Sequence, residues 1–373
     1  MRADALLASA LRGAPRPWPA AGATGLEAAV LEAADRHGVA PLLAHCLRRS
    51  DPPPGWPEPV LATLADDARA QAVREPLLRT ELRRVLEALA ERDVRPVIVK
   101  GTHLAYSCYA NPCHRPRSDT DLFIEPRDRE ATREALEALD YRPGRFVTGE
   151  LVSHQVRYER EDTVGLLHAC DVHWKLANPQ VFADLLPFDE VTGAARPIPR
   201  LDQRAIGPDA AHALLLACIH RVAHHRGSMA LIWLYDMRLL VGGMSEAALG
   251  GLARLARDKG VTAVVADGLA LARAQVGARV PDGLLDELRR GSGGAERTAM
   301  FLQGGQRKVD ELVSDLRQLG GWRDRLRLVR EHLFPPAAYM RDVYDARGRG
   351  HLAVLYASRI VRGCAGWFRR SDA

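Results

Sequence analysis

Strand signals in this chain crowd into one stretch, residues 93 to about 195, and the sequence on either side reads as helix. Three runs carry the signal: Val97-Ile-Val99, Leu122-Phe-Ile124 and Leu166-Leu-His-Ala-Cys-Asp-Val-His-Trp174. Such brief apolar runs, β-branched or aromatic and bounded by turn residues, build strands rather than helices. They predict strands at 96–99, 119–124 and 164–173, with two more near 142–148 and 152–160. Helices are expected between them at 102–110 and 127–139, the second with alternating charge and a solvated polar face. A small mixed sheet packed against helices is an α+β fold. The organisation read from the chain is a helical unit at 1–92, an α/β core at 93–200 and a second helical unit at 201–373.

The first helical unit contains amphipathic stretches at Leu26–Arg36 and Pro41–Arg49, then a proline-rich connector from Asp51 to Pro57 that no helix can cross. From Leu61 to Arg92 the spacing is helical again, with Leu77, Leu78, Leu82, Val85, Leu86 and Leu89 on one stripe. This unit is expected to cap the core or wall the substrate site. Beyond residue 208, Pro208–Ala223 and Ala230–Val241 are strongly apolar helices. Glycine breaks follow at Gly242-Gly243, Gly291 to Gly294 and Gly304-Gly305, and an amphipathic tail runs from Leu352 to Trp367.

The net charge of +5 is spread along 373 residues, so it admits acidic or nucleotide substrates without singling out nucleic acid. The basic residues are overwhelmingly Arg, with only four Lys, at 100, 175, 259 and 308. A Lys at the end of a strand therefore stands out, and its compact charge suits a phosphate. Six cysteines, none in Cys-x-x-Cys spacing, favour buried thiols in a reducing cytoplasm over disulfides or zinc. Met1 to Gly13 is too short and too charged for a signal peptide, and no run reaches the length of a membrane span.

Chemistry concentrates at the strand signals. Asp119 and Asp121 form an Asp-x-Asp pair at the head of Leu122-Phe-Ile124. On a strand, residues i and i+2 share a face. Two carboxylates there repel each other unless a cation sits between them. Magnesium, bound by one or two carboxylates together with substrate phosphates, suits that seat. A charged loop ahead of a strand could hold the same pair, so the surroundings decide. Upstream, Val97-Ile-Val99 runs into Lys100-Gly101; downstream, Asp171 and His173 share a face by the same alternation. Asp171 could complete a two-metal site and serve as general base. His173 either orients that site or is a core histidine hydrogen-bonded within the sheet. The loop Asn111 to Ser118 brings Arg115 and Arg117 just ahead of the carboxylates. There is no Walker-type loop, no Gly-x-Ser-x-Gly elbow and no dinucleotide fingerprint. Phosphate would have to be held by Lys100, Gly101, the following helix N-terminus and the arginine loop.

This order of Lys-Gly, Arg, Asp-x-Asp and a strand ending in His-Trp resembles a family of uncharacterised bacterial nucleotidyltransferases within the DNA polymerase β-like superfamily. The residues that carry it are Lys100-Gly101, Arg115 or Arg117, Asp119-Thr-Asp121 and His173-Trp174. Ala34–Leu43, His220–Leu240 and His332–Arg341 look like further segments of that family. The resemblance implies a nucleotidyltransferase core whose three carboxylates, Asp119, Asp121 and Asp171, hold two Mg²⁺ ions. Lys100, Gly101, Thr102, Arg115, Arg117 and Ser118 would contact the nucleotide. Members occur beside peptide-modification clusters, including those of lasso peptides, which implies natural-product biosynthesis. The wider superfamily has Gly-Ser at the turn before the helix, and Lys100-Gly101-Thr102 departs from it.

A second constellation comprises His220, His224 and Asp236, with Trp233 between them. His220 and His224 are spaced i and i+4, so they face one way on a helix. The Glu of a zinc-binding His-Glu-x-x-His is missing and Arg221 and Arg226 are close, so lining a substrate cleft or packing between helices is expected instead. The function read from the chain is transfer of an NMP, AMP first, from an NTP to a hydroxyl or phosphate of a small-molecule or peptide acceptor. Two alternatives stand beside it: a non-catalytic binding protein for a peptide or partner enzyme, and a toxin-like tRNA nucleotidyltransferase. The second lacks the basic, aromatic-studded stripe that nucleic acid calls for.

Overall fold

A computed structural model describes residues 3–19, 25–49, 55–144, 149–223, 230–291, 296–303, 307–344 and 351–367. Four helices lead in: α1 (Ala3–Leu11), α2 (Leu26–Arg36), α3 (Ala40–Arg48) and the long α4 (Glu58–Ala90). The core follows as β1 (Val97–Val99), α5 (Lys100–Ser107), β2 (Thr120–Phe123), α6 (Arg129–Ala138), β3 (Arg142–Pro143), β4 (Gln155–Glu161) and β5 (Leu167–His173). Next come α7 (Gln180–Ala183), α8 (Phe188–Gly193), β6 (Arg196–Pro197) and β7 (Ile206–Gly207). The remaining helices are α9 (Ala210–Ala223), α10 (Leu231–Gly242), α11 (Glu246–Asp258), α12 (Thr262–Val276), α13 (Asp282–Gly291), α14 (Lys308–Gln318), α15 (Trp322–Leu333), α16 (Ala337–Tyr344) and α17 (Leu352–Trp367). No described helix is long and apolar enough to cross a membrane.

The strands form one mixed sheet in the order β3-β4-β5-β2-β1-β7-β6. β2 runs parallel to β5 and antiparallel to β1, while β4 and β5 form an antiparallel hairpin. The α+β class and the mixed sheet are as the sequence implied; several boundaries are not. The strand expected at 164–173 starts at Leu167, because residues 162–166 make the hairpin turn. There Asp162 accepts hydrogen bonds from the N–H groups of Val164 and Leu166, and Gly165 supplies a φ of +80°. The helix expected from 102 starts at Lys100, so the Lys-Gly turn is its first turn. The strand near 142–148 is seen only at Arg142–Pro143, and 145–148 lie outside the described residues. The two-residue strands β6 and β7 carry no pattern long enough to read.

Strand alternation sorts the core into two. Ile98, Leu122, Ile124, Cys170 and Val172 point to one face, where they pack against Leu82, Val85, Leu86 and Leu89 of α4 and Ala135 and Leu136 of α6. Val97, Val99 and Phe123 point to the other face and join a larger core shared by α1–α3, the start of α4 and α9–α13. The N-terminal and C-terminal helices thus bury their apolar stripes against each other as well as against the sheet. Asp121, Asp171 and His173 alternate with the first set, so they face the C-terminal helices across the sheet.

Candidate active site

Asp121 on β2 and Asp171 on β5 are register partners, as are Phe123 and His173. Neighbouring strands place register partners side by side on one face, about 5 Å apart. Asp121, Asp171 and His173 each offer a ligand atom, and these atoms all lie within 4.8 Å of one another. Asp119 precedes the strand and is not in that group: its Oδ2 accepts hydrogen bonds from Arg157 at 3.1 Å and Ser118 at 3.2 Å.

Two cations already serve this acidic face. The Lys100 ammonium donates to Asp121 Oδ1 at 2.6 Å and lies 3.3 Å from His173 Nε2, which is itself 2.9 Å from the same Oδ1. Arg157 bridges Asp119 and Asp171, at 3.1 and 3.2 Å, and also holds Glu159 at 2.7 Å. Burial raises the Asp121 pKa, but the Lys100 charge and the His173 hydrogen bond outweigh it and hold that carboxyl well below its usual range. Asp171 goes the other way, raised to about 6 by burial and by repulsion from Asp119 and Asp121, which Arg157 and Lys100 offset only in part. Burial and the Lys100 charge lower the His173 pKa, against the pull of Asp121.

Lys100 adopts a φ of +52°, a left-handed conformation uncommon for a residue with a Cβ. Such a conformation costs on the order of 1–3 kcal/mol and persists only where surrounding contacts hold it. Here the turn aims the ammonium back across the sheet at Asp121. Thr102 is buried and hydrogen-bonds Thr120 at 3.3 Å, tying the first turn of α5 to β2.

The arginine loop divides in two. Arg115 is buried and gives Nε and Nη2 to the Asp236 carboxylate at 2.9–3.1 Å and Nη1 to the Pro116 carbonyl at 3.0 Å. Tyr109 donates to Asp236 as well, at 2.7 Å. Burial raises the Asp236 pKa, with Arg115 and Tyr109 pulling against it. The Arg115–Asp236 pair therefore fastens the loop to α10, and its charge is spent within the protein. Arg117 gives Nη1 to Glu75 of α4 at 2.6 Å, while its Nη2 is buried with no hydrogen-bond partner. A buried donor left without a partner is costly.

A cavity of about 510 Å³ opens over this face, lined by Lys100, Gly101, Arg117, Ser118, Asp119, Asp121 and Asp171 from the sheet side and by His220, Trp233 and Asp236 from α9 and α10. His220 stacks edge-on against Trp233 with ring centroids 5.6 Å apart. His224 lies outside the described residues. Sequence reading passed over three residues here. Arg157 and Gln155 are register partners of Asp171 and His173, visible only once β4 pairs with β5. Glu75 is one of several acids along the long helix α4, and only its tertiary contact with Arg117 and Tyr106 marks it.

The donor set fits a divalent cation. Two carboxylates and a buried imidazole converge with their ligand atoms within 4.8 Å of one another, and hard divalent ions take carboxylate oxygens. For the ion to bind, Lys100 must swing away from Asp121.

No curated protein matches this sequence. The model of a family described as uncharacterised nucleotidyltransferase matches residues 27–277 and so includes the whole cluster, but it ends before the segment 332–341. The chain belongs to that nucleotidyltransferase family.

Proposed function

We propose that the protein is a Mg²⁺-dependent nucleotidyltransferase that moves an NMP, AMP first among candidates, from an NTP to a hydroxyl or phosphate acceptor and releases pyrophosphate. The observation that carries this reading is the convergence of Asp121, Asp171 and His173 inside a cavity that also presents Lys100, Gly101 and Arg117. Asp121, Asp171 and His173 would hold the divalent ion, with Asp119 placed for a second; bound there, the metal would neutralise the triphosphate and the charge that develops on it. Lys100, released from Asp121, takes a phosphate oxygen on its ammonium. Arg117 donates its spare Nη2 to another, and the N-terminus of α5 adds backbone N–H groups. Arg115 holds the loop in place from behind. Asp171 takes the acceptor hydroxyl's proton at a carboxylate oxygen while the acceptor oxygen attacks the α-phosphorus and the bond to pyrophosphate breaks. His220 and Trp233 wall the cavity on the helical side and keep water from competing. A peptide acceptor, and with it a role in natural-product biosynthesis, belongs to this same reading.

A second reading is favoured by Lys100 and Arg157, which match the carboxylates with protein cations: a binding protein with a nucleotidyltransferase fold. A thermal-shift panel of ATP, GTP, CTP and UTP with and without Mg²⁺ or Mn²⁺ separates the two. Ligand at about 100 times its dissociation constant stabilises by roughly 2.7 kcal/mol. A metal-dependent shift with one nucleotide, lost in Asp121→Ala, is the expected result. No shift with any nucleotide sinks the enzymatic reading.

A further inference from the structure

A second cavity, of about 950 Å³, adjoins the first at the sheet edge and shares Gln155 with it. Gln155 is the register partner of His173, so its side chain stands on the same face as the metal-ligand candidates. Trp174, next along the chain from His173, also lines this second cavity. The opposite wall is α15 and the residues just after it. There Trp322 is 70% exposed, Leu326 60% and Phe334 51%. Large apolar side chains left facing one open space mark a binding surface rather than scattered exposure.

The charge of the wall selects among occupants. Four arginines and two glutamates line it. Both glutamates are engaged: Glu150 pairs with Arg129, and Glu331 accepts from the backbone N–H groups of Glu150, Leu151 and Val152 and from Arg327. Arg129 also sits over the Trp174 ring, 4.0 Å from its centroid. Arg323 stacks against Trp322, and among the described residues neither Arg323 nor Arg330 has a carboxylate partner. The cavity thus offers aromatic surface and two guanidinium groups in surplus. Its volume falls in the range of small-molecule sites, roughly 300–1,000 Å³.

Resting on the nucleotidyltransferase reading, we propose that this second cavity is the acceptor site and that the acceptor is an aromatic anion. Its flat apolar body lies against Trp322, Leu326 and Phe334, its anionic group meets Arg323 and Arg330, and its nucleophilic oxygen reaches past Gln155 to Asp171. The acceptor oxygen displaces pyrophosphate from the α-phosphorus, and its proton passes to Asp171.

The test uses the full chain and ligand-observed saturation-transfer NMR. The probe is naphthalene-2-carboxylate, with naphthalene-2-methanol and naphthalen-2-ylmethylammonium as controls. The carboxylate is expected to bind about tenfold tighter than the ammonium, since like charges facing the two arginines are penalised. Trp322→Ala, a change at an exposed side chain, is expected to remove binding, and the pair Arg323→Glu and Arg330→Glu to reverse the preference. In Asp121→Ala the probe still binds. Mn²⁺ bound at the catalytic cluster, confirmed by water relaxation, is expected to broaden the probe signals in wild type but not in Asp121→Ala. Equal binding of the three probes, binding unchanged in the variants, or no broadening once Mn²⁺ is bound would each overturn the acceptor site. Failure of the nucleotide to bind is a separate result, which overturns the enzymatic reading and is read from the thermal-shift panel.

Discussion

Asp121 and Asp171 stand side by side in register on the parallel strands β2 and β5, 50 residues apart in sequence, and burial, together with the charges of Asp119 and Asp121, pushes the Asp171 pKa upward. Each is buried enough that the face needs cations to be stable, and Lys100 and Arg157 supply them within the protein. Replacing either carboxylate by Asn should remove metal-dependent nucleotide stabilisation and lower turnover by about three orders of magnitude. Turnover retained in both variants would move the chemistry elsewhere.

Lys100 combines a charge with a left-handed backbone, and the two can be separated. Lys100→Ala and Lys100→Gly both lose the ammonium, so both should bind nucleotide at least tenfold more weakly. Only Gly relaxes the backbone, so Lys100→Gly should be about 1 kcal/mol more stable than Lys100→Ala. Urea denaturation of the two variants measures the difference directly.

The buried Arg115–Asp236 pair predicts strong non-additivity. Arg115→Met or Asp236→Leu alone leaves an unmatched buried charge and should cost about 3–5 kcal/mol. The double variant should cost much less than the sum, with a coupling of at least about 1 kcal/mol. Additive losses in a double-mutant cycle would mean that the two groups do not act as a pair.

Asp315 on α14 gives the chain a pH-dependent term away from the site. Burial, and Glu311 nearby, raise its pKa to about 6 against the N–H of Gln180, which donates to it at 2.7 Å. The folded pKa lies above the unfolded one, so this stabilisation is complete below about pH 4 and lost as pH rises through 6. Asp315→Asn keeps the acceptor for Gln180 and removes the titration. Relative to wild type it should gain about 2 kcal/mol between pH 4 and pH 8. A pH-independent difference in chemical denaturation would refute the assignment.

Glu331 clamps α15 to the loop at 150–152 by three backbone hydrogen bonds, and a Cβ at Gly149 would collide with its carboxylate. Burial raises the Glu331 pKa, but those three N–H groups and Arg327 bring it below the usual value. Glu331→Ala and Gly149→Ala should each speed hydrogen exchange across α15 while β2 and β5 stay protected. Uniform exchange changes would show that the clamp is not local.

Local chemistry was legible in the chain where one element carries it alone. Leu26–Arg36 and Leu352–Trp367 are helices over the same residues that their periodicity marks, and the strands at Val97, Thr120 and Leu167 follow from short apolar runs. The Asp-x-Asp pair and Asp171 stood out because alternation along a strand is a property of the covalent backbone. Pairing between strands is not. That β2 lies beside β5, and β4 beyond it, depends on burying Leu122, Val172 and Tyr158 against α4 and α6 at once. Only that packing brings His173 and Arg157 into the cluster and leaves Asp119 at its rim, and only the contact between α10 and the loop turns Arg115 from a free cation into the partner of Asp236. The sequence by itself determined which residues carry charge and which face each strand side chain takes; the tertiary structure decided which charges meet, because that rests on contacts between segments many residues apart.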